Sequence, residues 1–273
     1  MKHFNQYLMP ARFSQRQRGF SLIELMVSLT IATLLMLGLV EIFSSARASY
    51  NLQEGLARMQ ENSRYASGFI NRTVRETGYF PIAEVLNPLT NLGFNVDTTI
   101  IPPPIDLAES VDGGGNNSDT LSVSAFTDRD CFGQLNPVLD PRGLPAFFQK
   151  QTVFTQAGNQ LIYTCRYGVP GGAPVVQILN QPLVDGIEAF QVQYGVDTDV
   201  ALDESANGYT DAPTGVPQLV SLRIGMIVSS ADIFATTPDA QDIQMMGQLY
   251  PAPGDLRIRR AVVNTISLRN FTP

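Results

Sequence analysis

The sharpest change of pattern in the chain falls at its first apolar run. Residues 20–40, FSLIELMVSLTIATLLMLGLV, are 21 consecutive positions in which Glu24 is the one ionisable side chain. At about 1.5 Å rise per residue a helix of this length crosses a hydrocarbon core about 30 Å thick, so the run predicts one membrane-spanning helix. No proline occurs between Pro10 and Pro81, and nothing forces the helix to stop at the membrane surface. Beyond residue 40 apolar positions recur at three- and four-residue spacing, through Leu52, Leu56, Met59, Ala66, Phe69, Ile70 and Val74. That period predicts an amphipathic continuation whose stripe faces a sheet or partner helices. Glu54/Arg58 and Arg72/Glu76 sit four apart as supporting pairs. Gly38, Gly55 and Gly68 each cost a helix about 1 kcal/mol relative to alanine, and Gly78 reads as a stop.

The pattern then loses its period. Residues 81–118 hold Asn87-Pro88, Pro102-Pro103-Pro104 and Gly113-Gly114-Gly115-Asn116-Asn117, which predicts a long connecting loop. Strand-like runs follow at 120–126, 161–166, 175–179, 187–196, 219–228 and 256–268. Phe190, Val192 and Tyr194 alternate with Gln191 and Gln193, and Val220, Leu222, Ile224 and Met226 alternate with Ser221, Arg223 and Gly225. Alternation of this kind marks an antiparallel sheet with one buried face. The expected fold is α+β, a long N-terminal helix (20–78) packed by its amphipathic half on an antiparallel β-rich head (79–273).

Charge orients the span. Lys2, Arg12, Arg16 and Arg18 precede it without an acid and Glu41 follows it, which places residues 1–19 in the cytoplasm and the rest outside. An ordinary secretory signal, cut near Ser44-Ser45-Ala46, fits less well: the run exceeds a usual signal core of about 7–15 residues, and a carboxylate in it demands a reason. Arg18-Gly19-Phe20-Ser21-Leu22-Ile23-Glu24-Leu25 resembles the prepilin peptidase site of type IV pilins and type II secretion pseudopilins. The resemblance implies removal of residues 1–19, methylation of the new N-terminal Phe20, and a role for Glu24 in assembly, where it neutralises a neighbouring subunit's terminal ammonium within a helical bundle. Many major pilins carry a proline inside this apolar segment, and this chain has none.

Composition narrows the chemistry. With 44% hydrophobic and 16% charged residues the chain can bury a core. Residues 20–273 keep 14 cations against 25 acids, a net of −11, which disfavours nucleic acid as a partner. His3 is the only histidine, so cleavage at Gly19 leaves a product without Ser-His-Asp or Cys-His catalysis and without histidine metal ligands; no enzyme is expected and no cofactor. Cys131 and Cys165 are either one structural disulfide of an oxidising compartment or two buried thiols. Paired, they close a loop worth on the order of 3–4 kcal/mol. Asp197, Asp199, Asp203, Glu204, Asn207 and Asp211 gather oxygen ligands without EF-hand spacing. They read either as a solvated acidic loop or as a calcium site with Asp197, Asp199 and Asp203 among its ligands. Arg257, Arg259 and Arg260 read as an exposed strand face, and Met245-Met246 as core or a partner patch.

Further stretches look like the PilW-type minor pilins: residues 56–66, Glu76-Thr77-Gly78-Tyr79, residues 186–197 (GIEAFQVQYGVD) and residues 260–270. Residues 81–118 and 230–253 match nothing placed. The resemblance implies a low-abundance subunit that joins other minor pilins and the major pilin in a complex priming pilus assembly at the tip. It would be anchored first in the inner membrane with a periplasmic head and then sit in the pilus that drives twitching motility. A bulky head suits that place better than a repeated shaft position. The rivals are a minor pseudopilin similar to the J component of type II secretion and, from another class, a signal-anchored periplasmic binding protein or enzyme.

Overall fold

The computed structural model describes residues 19–81, 103, 105–169, 172–199, 203, 205–213, 218–231 and 241–270. Expectations for leader residues 1–18, for 82–102 and 104 in the breaker-rich segment, and for Glu204 lie outside the described residues. One helix, α1, runs without interruption over Leu22–Glu76, 55 residues. The chain divides into two compact units, 1–50 and 51–273.

In the first unit every described residue from Gly19 to Tyr50 is exposed in the single chain, including Leu22, Leu34 and Phe43 at 79%, 68% and 70%. Apolar side chains exposed on all sides of a helix need lipid or other helices around them.

In the second unit α1 behaves as its period predicts. Gly55, Met59, Ala66, Ile70 and Val74 are buried, with Leu56 and Phe69 packed beside them. Glu54 and Arg58 meet at 2.6 Å. Glu76 lies 3.5 Å from Lys150 of the first sheet. The helix stops where expected: Gly78 takes φ 77°, the left-handed conformation that ends helices, and its N–H donates to Ser124 O at 3.0 Å.

Among the described residues the head holds two four-stranded antiparallel sheets and a small ribbon rather than one sheet. The first sheet is a meander of β1 (Thr120–Thr127), β2 (Phe148–Ala157), β3 (Gln160–Gly168) and β4 (Val175–Asp185). The second orders β10 (Arg259–Ser267), β7 (Gln218–Ser229), β5 (Ile187–Asp197) and β6 (Gly208–Thr210). β4 passes into β5 through Gly186 alone, so one path of chain changes sheets there. Gly186 has φ 82°, and a Cβ on it would lie 2.6 Å from Ser229 O, which leaves room for glycine only. A second seam lies at 117–119, where Phe190 N donates to Ser118 Oγ at 3.0 Å and Val192 N to the buried Asp119 carboxylate at 2.7 Å. Burial raises the pKa of that carboxyl above its ordinary value, while the N–H groups of Gly113 and Val192 pull it back.

Between these layers Ala66, Ile70 and Val74 of α1 share one core with Leu121, Phe154, Leu161, Phe190, Leu222 and Met226. β8 (Ile243–Met245) and β9 (Gln248–Tyr250) form the ribbon, joined by Met246 and Gly247 at φ 53° and 85°, the two positive values of a type I′ hairpin turn. Met245 is core, packed with Ala189, Ile227 and Tyr250.

One expectation is overturned. Arg259 is no exposed strand residue: its side chain is 4% exposed and clamped by Glu188 and Asp255, each at 2.5 Å. The alternation does mark a strand, but two acids distant from one another in sequence draw the guanidinium inward. Paired carboxylates are what make such burial tolerable. Asp255 answers with a pKa lowered to about 2, chiefly through its hydrogen bonds from Arg259.

Candidate functional site

The N-terminal end of α1 is built from very few residues. Ser21 immediately precedes the helix and its carbonyl accepts the Leu25 N–H at 3.1 Å, so Ser21 stands at the N-cap and Glu24 at the third helical position. Ser-x-x-Glu is the capping-box spacing, and a carboxylate in the first turn is favoured by the partial positive charge of the helix end. Glu24 thus has a local reason to be there in addition to any partner. Phe20 is 81% exposed, and among the described residues nothing lies within 4 Å of where a Cβ on Gly19 would be. Along the span, Ser28, Thr30 and Thr33 turn their hydroxyls back onto α1, donating to Glu24 O, Val27 O and Thr30 O at 2.6, 2.8 and 2.8 Å. This hides their polarity from an apolar surrounding.

In the head, Cys131 and Cys165 are joined in a disulfide, with Cα atoms 5.9 Å apart. The bond ties the segment between β1 and β2 to β3. That segment also holds itself: the Asp130 carboxylate accepts the N–H groups of Phe132 and Gln134 at 2.9 and 2.8 Å, and Asn136 donates to Ala146 O at 2.8 Å.

The carboxylates of Asp197, Asp199 and Asp203 bring oxygen atoms within 4.8 Å of one another. Their loop supplies its own donors. Asn207 Nδ2 donates to Asp199 Oδ2 at 3.1 Å, and Ser205 N to Asp203 Oδ1 at 3.0 Å. A self-capped acidic loop produces the same convergence as an ion site, so the geometry assigns no metal to it.

A cleft of about 710 Å³ between the end of α1 and the first sheet, lined among others by Phe69, Arg72, Tyr79, Lys150 and Tyr163 beside the disulfide, had no signal in the sequence. Its lining residues come from five separate segments, residues 69–79, 125–133, 147–152 and 163–165, and Asn270.

Residues 14–40 match the profile described as the prokaryotic N-terminal methylation motif, and residues 166–270 match the family described as Type IV Pilus-assembly protein W. The chain is similar to type IV pilin-like proteins at its N-terminal helix and to the PilW family over its C-terminal part. In PilW terms the first match covers the capped start of α1 and the apolar span, and the second runs from the end of β3 through β4 and the whole second sheet. The Gly186 corner, the Arg259 clamp and residues 230–253, unplaced from the sequence, all fall inside it. The resembling stretches at 56–66 and 76–79 lie outside both matches. Among curated proteins no significant match is found. Of solved structures, a type IV-like pilin from Thermus thermophilus is similar at 15% identity and TM-score 0.47, over 79% of this chain and 99% of that one. A motif for N-terminal methylation on an apolar helix associates the chain with membrane anchoring and with the pilus.

Proposed function

We propose that the chain is a minor pilin. Prepilin peptidase cuts it between Gly19 and Phe20 and Phe20 is methylated. Residues 20–40 then hold it in the inner membrane, with the head, residues 79–273, on the periplasmic side. It goes on to join other minor pilins and the major pilin in the complex that primes type IV pilus assembly, at the pilus tip. The observation that carries this reading is Glu24 in the first turn of an exposed apolar helix, five residues beyond Gly19, on the same chain as a head matched to the PilW family. In a bundle of such helices the carboxylate would lie at the depth of a neighbour's terminal ammonium, and pairing offsets the cost of burying either charge.

The decisive experiment is mass spectrometry of the N-terminus from cells with and without prepilin peptidase. The expected mature chain starts at methylated Phe20 and appears only with the peptidase; a chain starting near Arg47 would sink the reading. Deletion of the gene is expected to impair piliation and twitching.

A further inference from the structure

Asn-Gly occurs once in the chain, at Asn207-Gly208. The pair is the preferred sequence of a type I′ hairpin turn, which needs positive φ at both residues. Here neither residue takes a positive φ. Packing does not call for glycine either: among the described residues nothing lies within 4 Å of where a Cβ on Gly208 would be. Neither a turn nor a close approach therefore explains the dipeptide. Its chemistry is distinctive all the same, because a glycine nitrogen has no Cβ beside it and reaches the preceding side-chain amide with the least hindrance.

The surroundings favour that reaction. Asn207 is exposed and immediately precedes β6, a three-residue strand at the edge of the second sheet, where pairing opens at little cost. Its Oδ1 accepts the N–H groups of Thr198 at 2.8 Å and Asp199 at 3.3 Å. Two main-chain donors on one carbonyl oxygen draw electrons from Cγ and favour negative charge on that oxygen, as an oxyanion hole does. Nδ2 donates to Asp199 Oδ2 at 3.1 Å, which holds the amide in one orientation.

We propose that Asn207 is a modification site, converted in the folded head to aspartate and isoaspartate through a cyclic imide. Gly208 N attacks Asn207 Cγ; the N–Cγ bond forms, the Cγ–Nδ2 bond breaks, and the proton from Gly208 N leaves with Nδ2 as ammonia. Water then opens the ring at either carbonyl, and no oxidant or reductant takes part. The product differs where the loop holds itself together. The Nδ2 donor is gone, and a new carboxylate faces Asp199 Oδ2, beside Asp197 and Asp203, whose oxygens already converge with those of Asp199 to within 4.8 Å. Like charges that close repel. Isoaspartate also adds a methylene to the main chain next to Gly208, whose ladder partner is Val196. The loop thus passes once, in one direction, from self-capped to self-repelling. The proposal does not depend on the role in pilus assembly.

The test is peptide mapping by mass spectrometry of the full chain in detergent micelles, aged at neutral pH beside the same chain in urea and a Gly208→Ala variant. The expected result is a gain of about 1 Da on the peptide holding position 207 of the folded chain. Isoaspartate should exceed aspartate, and hydroxylamine, which traps the ring, should cut the chain between 207 and 208. Gly208→Ala, which has room for its Cβ, should slow the gain about tenfold. Conversion confined to the urea sample would show that the fold protects Asn207 and overturns the proposal, as does a folded chain unchanged at 207. A gain undiminished by the variant and without isoaspartate assigns the change to direct hydrolysis and also overturns it. If the variant misfolds, the isoaspartate ratio and the hydroxylamine cut of the wild type decide alone.

Discussion

Replacing Cys131 and Cys165 together by alanine should cost the head about 3–4 kcal/mol. The two residues are 34 apart in sequence, and the chain-entropy relation gives about 3.8 kcal/mol for a loop of that size at 25 °C. Most of that loss belongs to the unfolded chain. In the folded head the segment between β1 and β2 keeps its shape through Asp130, Asn136 and Asp140, and β2 and β3 stay paired over Gln149–Ala157 and Gln160–Gly168. Alanine is chosen because Cys165 is 4% exposed, and a serine hydroxyl there would add the cost of a buried polar group. The assay is urea unfolding of the full chain in detergent followed by tyrosine fluorescence, since the chain has 9 tyrosines and no tryptophan. At roughly 2–4 °C per kcal/mol for a body of this size, the melting temperature should fall by about 8–15 °C, and the urea slope should rise because the denatured chain without the bond is less compact. Reduction of the wild type should reproduce the shift. A loss under about 1 kcal/mol would refute the reasoning, as it would mean that the denatured head is not constrained by the bond.

Glu24→Ala should leave the head's unfolding midpoint unchanged yet reduce incorporation into pili, read by immunoblot of sheared filaments; equal incorporation removes Glu24 from assembly. Gly186→Ala should destabilise by about 1–3 kcal/mol, because it combines a positive φ with a Cβ facing backbone that cannot yield; a neutral effect in urea would show that the corner relaxes. Arg259→Met tests the clamp through its pH dependence. The Asp255 pKa is lowered to about 2 from 3.8, so its contribution is present above pH 3.8 and is lost as pH falls through about 2. The stability gap between wild type and variant should therefore narrow as pH falls from 3.8 toward 2, and a gap constant over that window contradicts the pairing.

The sequence made α1 legible because its signals are local: an apolar run, a 3.6-residue period, no proline, and glycine at the end. β5 and β7 are legible from alternation, and β1, β3, β4 and β10 as strand-like runs. β2 was not, since it buries Gln149, Gln151 and Thr152. Gln151 is satisfied by Asp106, Glu109 and Ser122, partners that no window around β2 contains. β6, β8 and β9, three residues each, are too short for any period. The division into two sheets depends on which strands pair across long separations, and Arg259 turned inward for the same reason. At the N-terminal site the residues were readable as a motif, whereas the capping position of Glu24 emerged only once the first turn was fixed at Leu22.

The bond between Ser67 and Asn264 joins residues 197 apart, and Ile266 and Leu268 belong to the core that receives Ala66 and Ile70. A chain delivered from its N-terminus therefore carries the amphipathic half of α1 with its stripe incompletely covered until residues 264–268 emerge. The first sheet, a meander of neighbours, can close early, while the second waits for β10. Truncation before Asn264 would thus leave the stripe of α1 open to proteolysis, a vulnerability set by the order of synthesis rather than by the stability of any one contact.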